Sequence, residues 1–150
     1  MPNAKSRRRN PRHTTYFDEL AAALRAHAEG LYCRQAAVEL LIGHRRWLCR
    51  DDFRDRFVRL VPETVGGGVL AVVAWRAAVR ALGAGRLPCS GSEGAVLRIA
   101  ASIAGGVPVD LSACLSTLDE PNVGLVVDAV RRAGGRASSG VVGAGWGERR

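Results

Sequence analysis

Apolar residues recur at three- and four-residue intervals through most of the chain, and this periodicity constrains the fold more than any other feature. In the first such stretch Phe17, Leu20 and Leu24 share one face of a predicted helix, which Thr14 or Thr15 can cap. No stretch combines the alternation of a half-buried strand with flanking hairpin signals. The pattern therefore predicts an all-α protein of six or seven helices. Their expected ranges are 15–30, 31–42, 51–61, 65–82, 90–104, 109–115 and 119–132.

The length of the chain favours one domain. A protein of 150 residues and 16.0 kDa should bury roughly two-thirds of the surface that its unfolded form exposes, which suffices for a single hydrophobic core. We expect a single compact helical domain over residues 15–133, a disordered basic arm over 1–14 and a flexible, Gly- and Ser-rich basic tail over 134–150. The expected core residues are Phe17, Leu20, Leu24, Val38, Leu41, Phe57, Val72, Ile99 and Val126.

Glycines and capping residues indicate where the helices begin and end. Gly43 is the predicted stop of the second helix. Ser90 or Ser92 can cap the helix that starts near residue 90, and Asp119 can cap the last helix. The run of glycines at 66–68 is interpreted as the weakened first turn of an apolar helix, because no lysine follows at the position that a phosphate-binding loop requires.

Nearly all of the net charge of +8 lies at the two ends of the chain. Residues 1–15 contain five basic and no acidic residues, and residues 131–150 contain five arginines and one glutamate. Residues 16–130 contain 12 arginines and 13 acidic residues, so the middle of the chain is almost neutral. A basic arm on a neutral domain attracts polyanions, of which nucleic acid is the commonest. The candidate contacts at the two ends are Lys5, Arg7, Arg8, Arg9, Arg12, Arg131 and Arg132.

The segment 44–59 interleaves six arginines with three aromatic residues, a composition that can hold phosphates and stack on bases. Asp52 and Asp55 each precede an arginine by four residues, a spacing that favours salt bridges on one helix. We therefore interpret most of the segment as a solvated, salt-bridged helix that packs through Phe53 and Phe57. Three arginines without close acidic neighbours are further candidate contacts for nucleic acid: Arg45, Arg46 and Arg50.

Several kinds of catalytic site are excluded by residues that the chain lacks. Lys5 is the only lysine, so the helical domain offers neither a P-loop lysine nor a Schiff-base lysine. No serine lies in a G-x-S-x-G motif, and no two cysteines have the C-x-x-C spacing of a zinc site. Cys33 and His44 would lie about 16 Å apart on a continuous helix, too far to share a metal ion. We expect no cofactor, no metal, and reduced, mostly buried cysteines at Cys33, Cys49, Cys89 and Cys114.

The final third of the chain, residues 92–132, has the three-helix outline of a helix-turn-helix domain. A recognition helix meets DNA through its N-terminal part, and here that part contains Asp119 and Glu120, which would repel phosphate. Apolar residues follow them. We therefore predict that this helix contributes to the core and does not read DNA.

No membrane or export signal is expected. The longest apolar run, residues 65–75, has 11 residues, whereas a membrane-spanning helix needs about 20. Arg7, Arg8 and Arg9 are followed by Asn10 and polar residues and not by the apolar segment of a secretory signal. These features predict a soluble, cytoplasmic protein.

Together, these features favour a small, non-enzymatic helical binding or regulatory protein that contacts nucleic acid nonspecifically through its basic arms. The alternative is a protein–protein interaction module whose partner binds an apolar helix groove and whose arms only keep it soluble. An enzyme with an unusual site is a third hypothesis, and it requires a buried polar cluster of Tyr32, Glu39 and His44.

Overall fold

A computed structural model describes the backbone of residues 11–135 and the side chains of residues 15–135. Within that range seven helices and one pair of strands form a compact, mostly helical domain, so the predicted fold class is confirmed. The elements are α1 (Pro11–Ala28), α2 (Tyr32–His44), α3 (Asp51–Phe57), β1 (Val58–Pro62), β2 (Val69–Val73), α4 (Trp75–Gly83), α5 (Gly91–Gly105), α6 (Leu111–Thr117) and α7 (Glu120–Ala133).

The expectation of a domain without any sheet is wrong at residues 58–73. Here β1 and β2 form an antiparallel hairpin in which Val58 lies opposite Val73 and Pro62 opposite Val69. Valine-rich segments suit strands, because a side chain branched at Cβ packs well on a pleated surface. The glycine run forms the hairpin loop and is not the first turn of a helix, since two of its residues have positive φ angles of 113° and 70°. The third and fourth predicted helices are therefore shorter than expected, and both give way to strand.

Helix α2 lies at the centre of the domain and packs along both α5 and α7. Its inner face carries the fully buried Ala36 and Ala37, and α5 contributes the fully buried Ala100 and Ala101. Small side chains allow helices to approach closely, so this region needs few aromatic residues to fill it.

Eight of the nine predicted core residues are buried, and Val72 is the exception. In strand β2 the buried residues are Ala71 and Val73, and Val72 between them is only half-buried. Successive side chains of a strand point to opposite faces. Because Ala71 and Val73 point into the core, Val72 points to the other face.

The cysteines differ from the prediction in their exposure. Cys114 is buried, but Cys33, Cys49 and Cys89 are exposed. None of the four forms a disulfide bond, and all lie within the described residues. The expectation of mostly buried thiols is therefore wrong, because Cys33 lies in the first turn of α2 and Cys49 and Cys89 lie in connections between helices. No helix in residues 11–135 has the length and apolarity needed to cross a membrane.

Phe57→Ala should reduce the free energy of unfolding by about 3 to 5 kcal/mol, because the 5% exposed ring is lost from the core and leaves a cavity. The matched control is Leu60→Ala, whose side chain is 61% exposed and whose loss should cost no more than about 0.5 kcal/mol. Denaturant titration measures both. Equal losses for the two variants would contradict the assignment of Phe57 to the core.

Candidate functional site

The connection between α2 and α3, residues 45–50, contains three of the predicted contact residues: Arg45, Arg46 and Arg50. We call it the arginine loop. Helix α2 does not stop at Gly43 as predicted but continues to His44. Position 43 contacts α7 closely, since a Cβ atom there would lie 2.9 Å from Cδ2 of Leu125 and the leucine side chain would have to shift.

The chain reverses at Arg45, which has φ 64° and ψ −39°. The Arg46 N–H donates to the His44 carbonyl oxygen at 2.7 Å, so Arg45 is the central residue of a γ-turn. Arg45 is the only non-glycine residue with positive φ in residues 11–135. A side chain in this conformation is strained by about 1 kcal/mol or more, so the turn holds Arg45 in a costly but fixed position.

Four guanidinium groups of this region lie over aromatic rings. The Arg45 Cζ is 4.2 Å from the ring centroid of Phe17, and the Arg54 Cζ is 5.1 Å from that of Tyr16. The Arg50 Cζ lies 4.9 Å from the Trp47 ring. The fourth contact joins Arg56 to Phe57, also at 4.9 Å. Two of these contacts, Arg50 with Trp47 and Arg56 with Phe57, lie within the segment where arginines and aromatic residues alternate. In both the buried ring packs on the core and also supports a cation.

The arginines differ in how far nearby carboxylates neutralise them. Arg50 pairs with Asp52 at 2.6 Å and holds the pKa of that carboxyl below its usual range. It also donates to the Pro88 carbonyl oxygen at 2.7 Å. The Arg46 Nε lies 3.9 Å from Glu93 Oε1, and the Arg46 side chain is 75% exposed. Exposed Arg45 contacts a ring and forms no ion pair with a described residue. Arg45 and Arg46 therefore leave most of their charge to solvent.

The predicted salt bridges at four-residue spacing do not form within the described residues. Helix α3 ends at Phe57, so Arg59 lies in strand β1 and cannot pair with Asp55 along a helix. Arg56 instead donates to the Arg86 carbonyl oxygen at 3.3 Å. The acids pair with other arginines: Asp51 with Arg54, as well as Asp52 with Arg50. The interpretation of α3 as a helix packed through two phenylalanines is confirmed, since Phe53 and Phe57 are both buried.

The beginning of α1 lies against the arginine loop. Tyr16 and Phe17 belong to α1, and they are the rings under Arg54 and Arg45. Helix α1 begins at Pro11, earlier than the predicted cap at Thr14 or Thr15. Arg12 is therefore in its first turn, about 6 Å along the axis from Tyr16. The side chain of Arg12 and all of Lys5, Arg7, Arg8 and Arg9 lie outside the described residues.

Arg131 and Arg132 lie at the opposite end of α2. Helix α7 runs antiparallel to α2, because Gly43 faces Leu125 whereas Tyr32 at the other end faces Gly135. The Arg131 Nη1 is 3.9 Å from Asp128 Oδ1, and the charge of Arg132 acts on Glu39. The fold therefore does not bring these two arginines together with the arginine loop.

The polar cluster that an enzyme would require is not formed. Glu39 is paired with Arg25 at 2.6 Å, and Tyr32 is 62% exposed at the other end of α2 from His44. Among the described residues no group of three or more His, Cys, Asp or Glu side chains is arranged to hold a metal ion.

His44 has surroundings that the sequence did not reveal. Its Nδ1 atom is buried without a hydrogen-bond partner. Burial lowers the pKa of His44, and the negative charges of Glu93 and Asp119 only partly oppose this effect. Glu93 lies in α5 and Asp119 caps α7, both distant in sequence from His44, so no local pattern could have identified these neighbours.

Replacing Arg45 with glycine should give a more stable protein than replacing it with alanine, by about 1 kcal/mol. Both variants lose the contact with Phe17, but only glycine adopts positive φ without strain. In a helix interior the order is reversed, so the sign of the difference tests the turn. Denaturant midpoints of the two variants measure it. An alanine variant at least as stable as the glycine variant would show that the γ-turn is not formed.

Protonation of His44 should destabilise the fold. Its pKa in the folded protein lies below the ordinary value of 6.5, so the unfolded chain takes up the proton first. Stability is therefore complete above pH 6.5 and falls as the pH drops toward the lower pKa of the folded state. Unfolding titrations between about pH 7.5 and pH 5.5 avoid most carboxylate titration.

His44→Gln should lose this component of the pH dependence, whereas His27→Gln serves as the control and should keep it. Identical pH profiles for the native protein and His44→Gln would contradict the effect.

Comparison with known proteins finds no match of any of three kinds. No family model matches the chain. No curated protein and no solved structure shows significant similarity to it either. The function must therefore be argued from the geometry of the arginine loop and its surroundings.

Proposed function

We propose that this protein is a non-enzymatic helical binding protein that contacts nucleic acid without sequence preference, through its N-terminal basic arm and the arginine loop. The observation that carries the proposal is the position of α1. Because Phe17 and Tyr16 lie under Arg45 and Arg54, the arm continues from a helix whose first turns border the loop. The N-terminal end of α1, to which the arm is attached, thus lies on the same side of the domain as the arginine loop.

Two arginines of the loop are available to bind phosphate, because no carboxylate of the described residues holds them in a close ion pair. Arg45 and Arg46 project from a fixed turn, are exposed, and are not held by a strong ion pair. A guanidinium group that already lies on a ring loses less conformational freedom when it binds a phosphate oxygen. Arg50 forms an ion pair with Asp52, so we propose that it contributes less to phosphate binding than Arg45 and Arg46 do.

The proposed contact is with the backbone and carries no sequence information. Phosphate contacts position a protein on a duplex, whereas base contacts specify the sequence. Helix α7, which occupies the place of a recognition helix in the chain order, is capped by Asp119 and has the acidic Glu120 in its first turn. These acids favour a role for α7 in packing and disfavour entry of its N-terminus into a DNA groove.

Deleting residues 1–10 should weaken binding to a random duplex and reduce its dependence on salt. The deletion removes Lys5, Arg7, Arg8 and Arg9 but keeps α1 intact. Four lost phosphate contacts at about 0.9 each would flatten the log–log salt slope by up to about 3.6. Binding measured by fluorescence anisotropy at several salt concentrations gives the slope. An unchanged slope would contradict a role for the arm.

The arginine loop has its own matched pair of variants. Arg45→Ala with Arg46→Ala should flatten the slope by about 1.8. Arg76→Ala with Arg80→Ala removes the same charge from exposed positions of α4, which begins near Leu24 and His27 at the far end of α1. The α4 pair should therefore change the slope less. Equal effects would mean that net charge alone matters, and no binding at low salt would reject a nucleic-acid role.

A second candidate function is protein–protein interaction, and one surface favours it. Val123, Val127 and Val130 follow the spacing of a helix face on α7, and all three are exposed. Such a stripe suits an apolar partner helix. Binding through it would be insensitive to salt, so salt dependence separates the two functions. In either case we propose that the protein acts in the cytoplasm, where unpaired cysteines remain reduced.

A further inference from the structure

A cleft of about 510 Å³ opens between α5 and α6. At Cys89 it borders the arginine loop, since Arg50 donates to the carbonyl oxygen of the preceding Pro88. Its apolar wall includes Leu82 of α4, Ala95 of α5 and Val109 before α6. Cys89 and Cys114 also line it. Clefts of roughly 300 to 1,000 Å³ with an apolar lining and a few polar groups are typical of small-molecule sites.

Arg98 supplies the positive charge of the cleft. It lies in the middle of α5 and is half-buried, yet its guanidinium group forms no ion pair or hydrogen bond with any described residue. Burial raises the pKa of both the Cys89 and the Cys114 thiol above the ordinary value of 9.0, so neither is an anion at neutral pH. A half-buried cation that forms no ion pair with a described residue favours the binding of an anion.

Asp110 limits which anion fits. Its carboxylate accepts a hydrogen bond from the Ala113 N–H at 3.0 Å and so is fixed at the start of α6. The charges of Arg98 and Asp110 both act on the Cys114 thiol, Arg98 favouring the thiolate and Asp110 opposing it. A cleft with one cation, one anion and an apolar wall disfavours groups with two or more negative charges.

We propose that this cleft binds a small carboxylate that carries a short apolar group, with the carboxylate paired to Arg98 and the apolar group against Leu82 and Val109. This chemistry occurs both in branched short-chain carboxylates and in apolar amino acids. An amino acid would also place its ammonium group toward Asp110. Arg98, the arginine that this site uses, is not one of the arginines of the nucleic-acid contact proposed above.

Alkylation of the four cysteines tests the proposal in the full-length protein. Iodoacetamide reacts with exposed thiols, and mass spectrometry gives the rate at each position. Cys89 lines the cleft, whereas Cys33 and Cys49 are exposed outside it and act as internal controls. Isocaproate or leucine should slow the reaction of Cys89 about tenfold at ten times the ligand Kd, because mainly the free protein reacts. The rates at Cys33 and Cys49 should not change.

Two other probes and one variant test which chemical group is bound. Isoamylamine has the same apolar group without a carboxylate and should give no protection. Inorganic phosphate, which carries more charge, should protect Cys89 less than isocaproate does. Equal protection by isoamylamine or phosphate, or no protection by either carboxylate, would overturn the proposal. Asp110→Asn keeps a capping side chain and should weaken protection by leucine but not by isocaproate, which separates the two carboxylate sources.

Substitutions of Arg98 test whether its positive charge binds the carboxylate. Arg98→Gln should abolish protection by isocaproate, Arg98→Lys should retain part of it, and Arg76→Gln on α4 should have no effect. Circular dichroism checks that each variant is folded. Protection that survives Arg98→Gln would overturn the proposal, and if that variant does not fold, the comparison of isocaproate with isoamylamine on the native protein decides alone.

Discussion

The close packing of α2 against α5 and α7 determines the rest of the structure. Fully buried alanines on α2 and α5 bring these helices together, and Gly43 allows Leu125 of α7 to lie against the α2 backbone. Helix α2 ends one residue after this contact, at His44, and the chain reverses at Arg45. The strained turn that presents Arg45 thus lies two residues from the point where α2 contacts α7.

The aromatic residues have two roles in this fold. Phe17, Trp47 and Phe57 are among the buried residues of the core, and each also supports an arginine at its outer face. Trp47 adds a hydrogen bond from its Nε1 to the Glu93 carbonyl oxygen at 2.9 Å, which joins the arginine loop to the first turn of α5. The positions of the loop arginines are therefore tied to the core and to a capped helix, and they do not depend on surface ion pairs alone.

Sequence reasoning succeeded where local chemistry decides the structure. The cap of α5 is Ser90, which together with Glu93 forms a capping box, and the cap of α7 is the predicted Asp119. Most of the predicted core residues are buried, because helical periodicity places Leu24 on the inner face of α1 and Leu41 on the inner face of α2.

Sequence reasoning failed where a long apolar run fits both helix and strand. At residues 58–73 the valines form two strands and the glycines form the loop between them, where helix had been predicted. Sequence reasoning could not find the ring beneath Arg45, the acids near His44 or the cleft around Arg98, since tertiary packing alone brings those groups together.

The hairpin also limits how this protein can associate with copies of itself. In the β1–β2 ladder the Glu63 N–H donates inward to Gly68. Because donors alternate along an antiparallel strand, the backbone nitrogen of Pro62 faces away from β2. Proline has no N–H, so an approaching strand would find no donor at this position of the β1 edge. Leu60 and Val69 are exposed on this hairpin, and the proline removes one of the donors that a further strand would need to pair with β1.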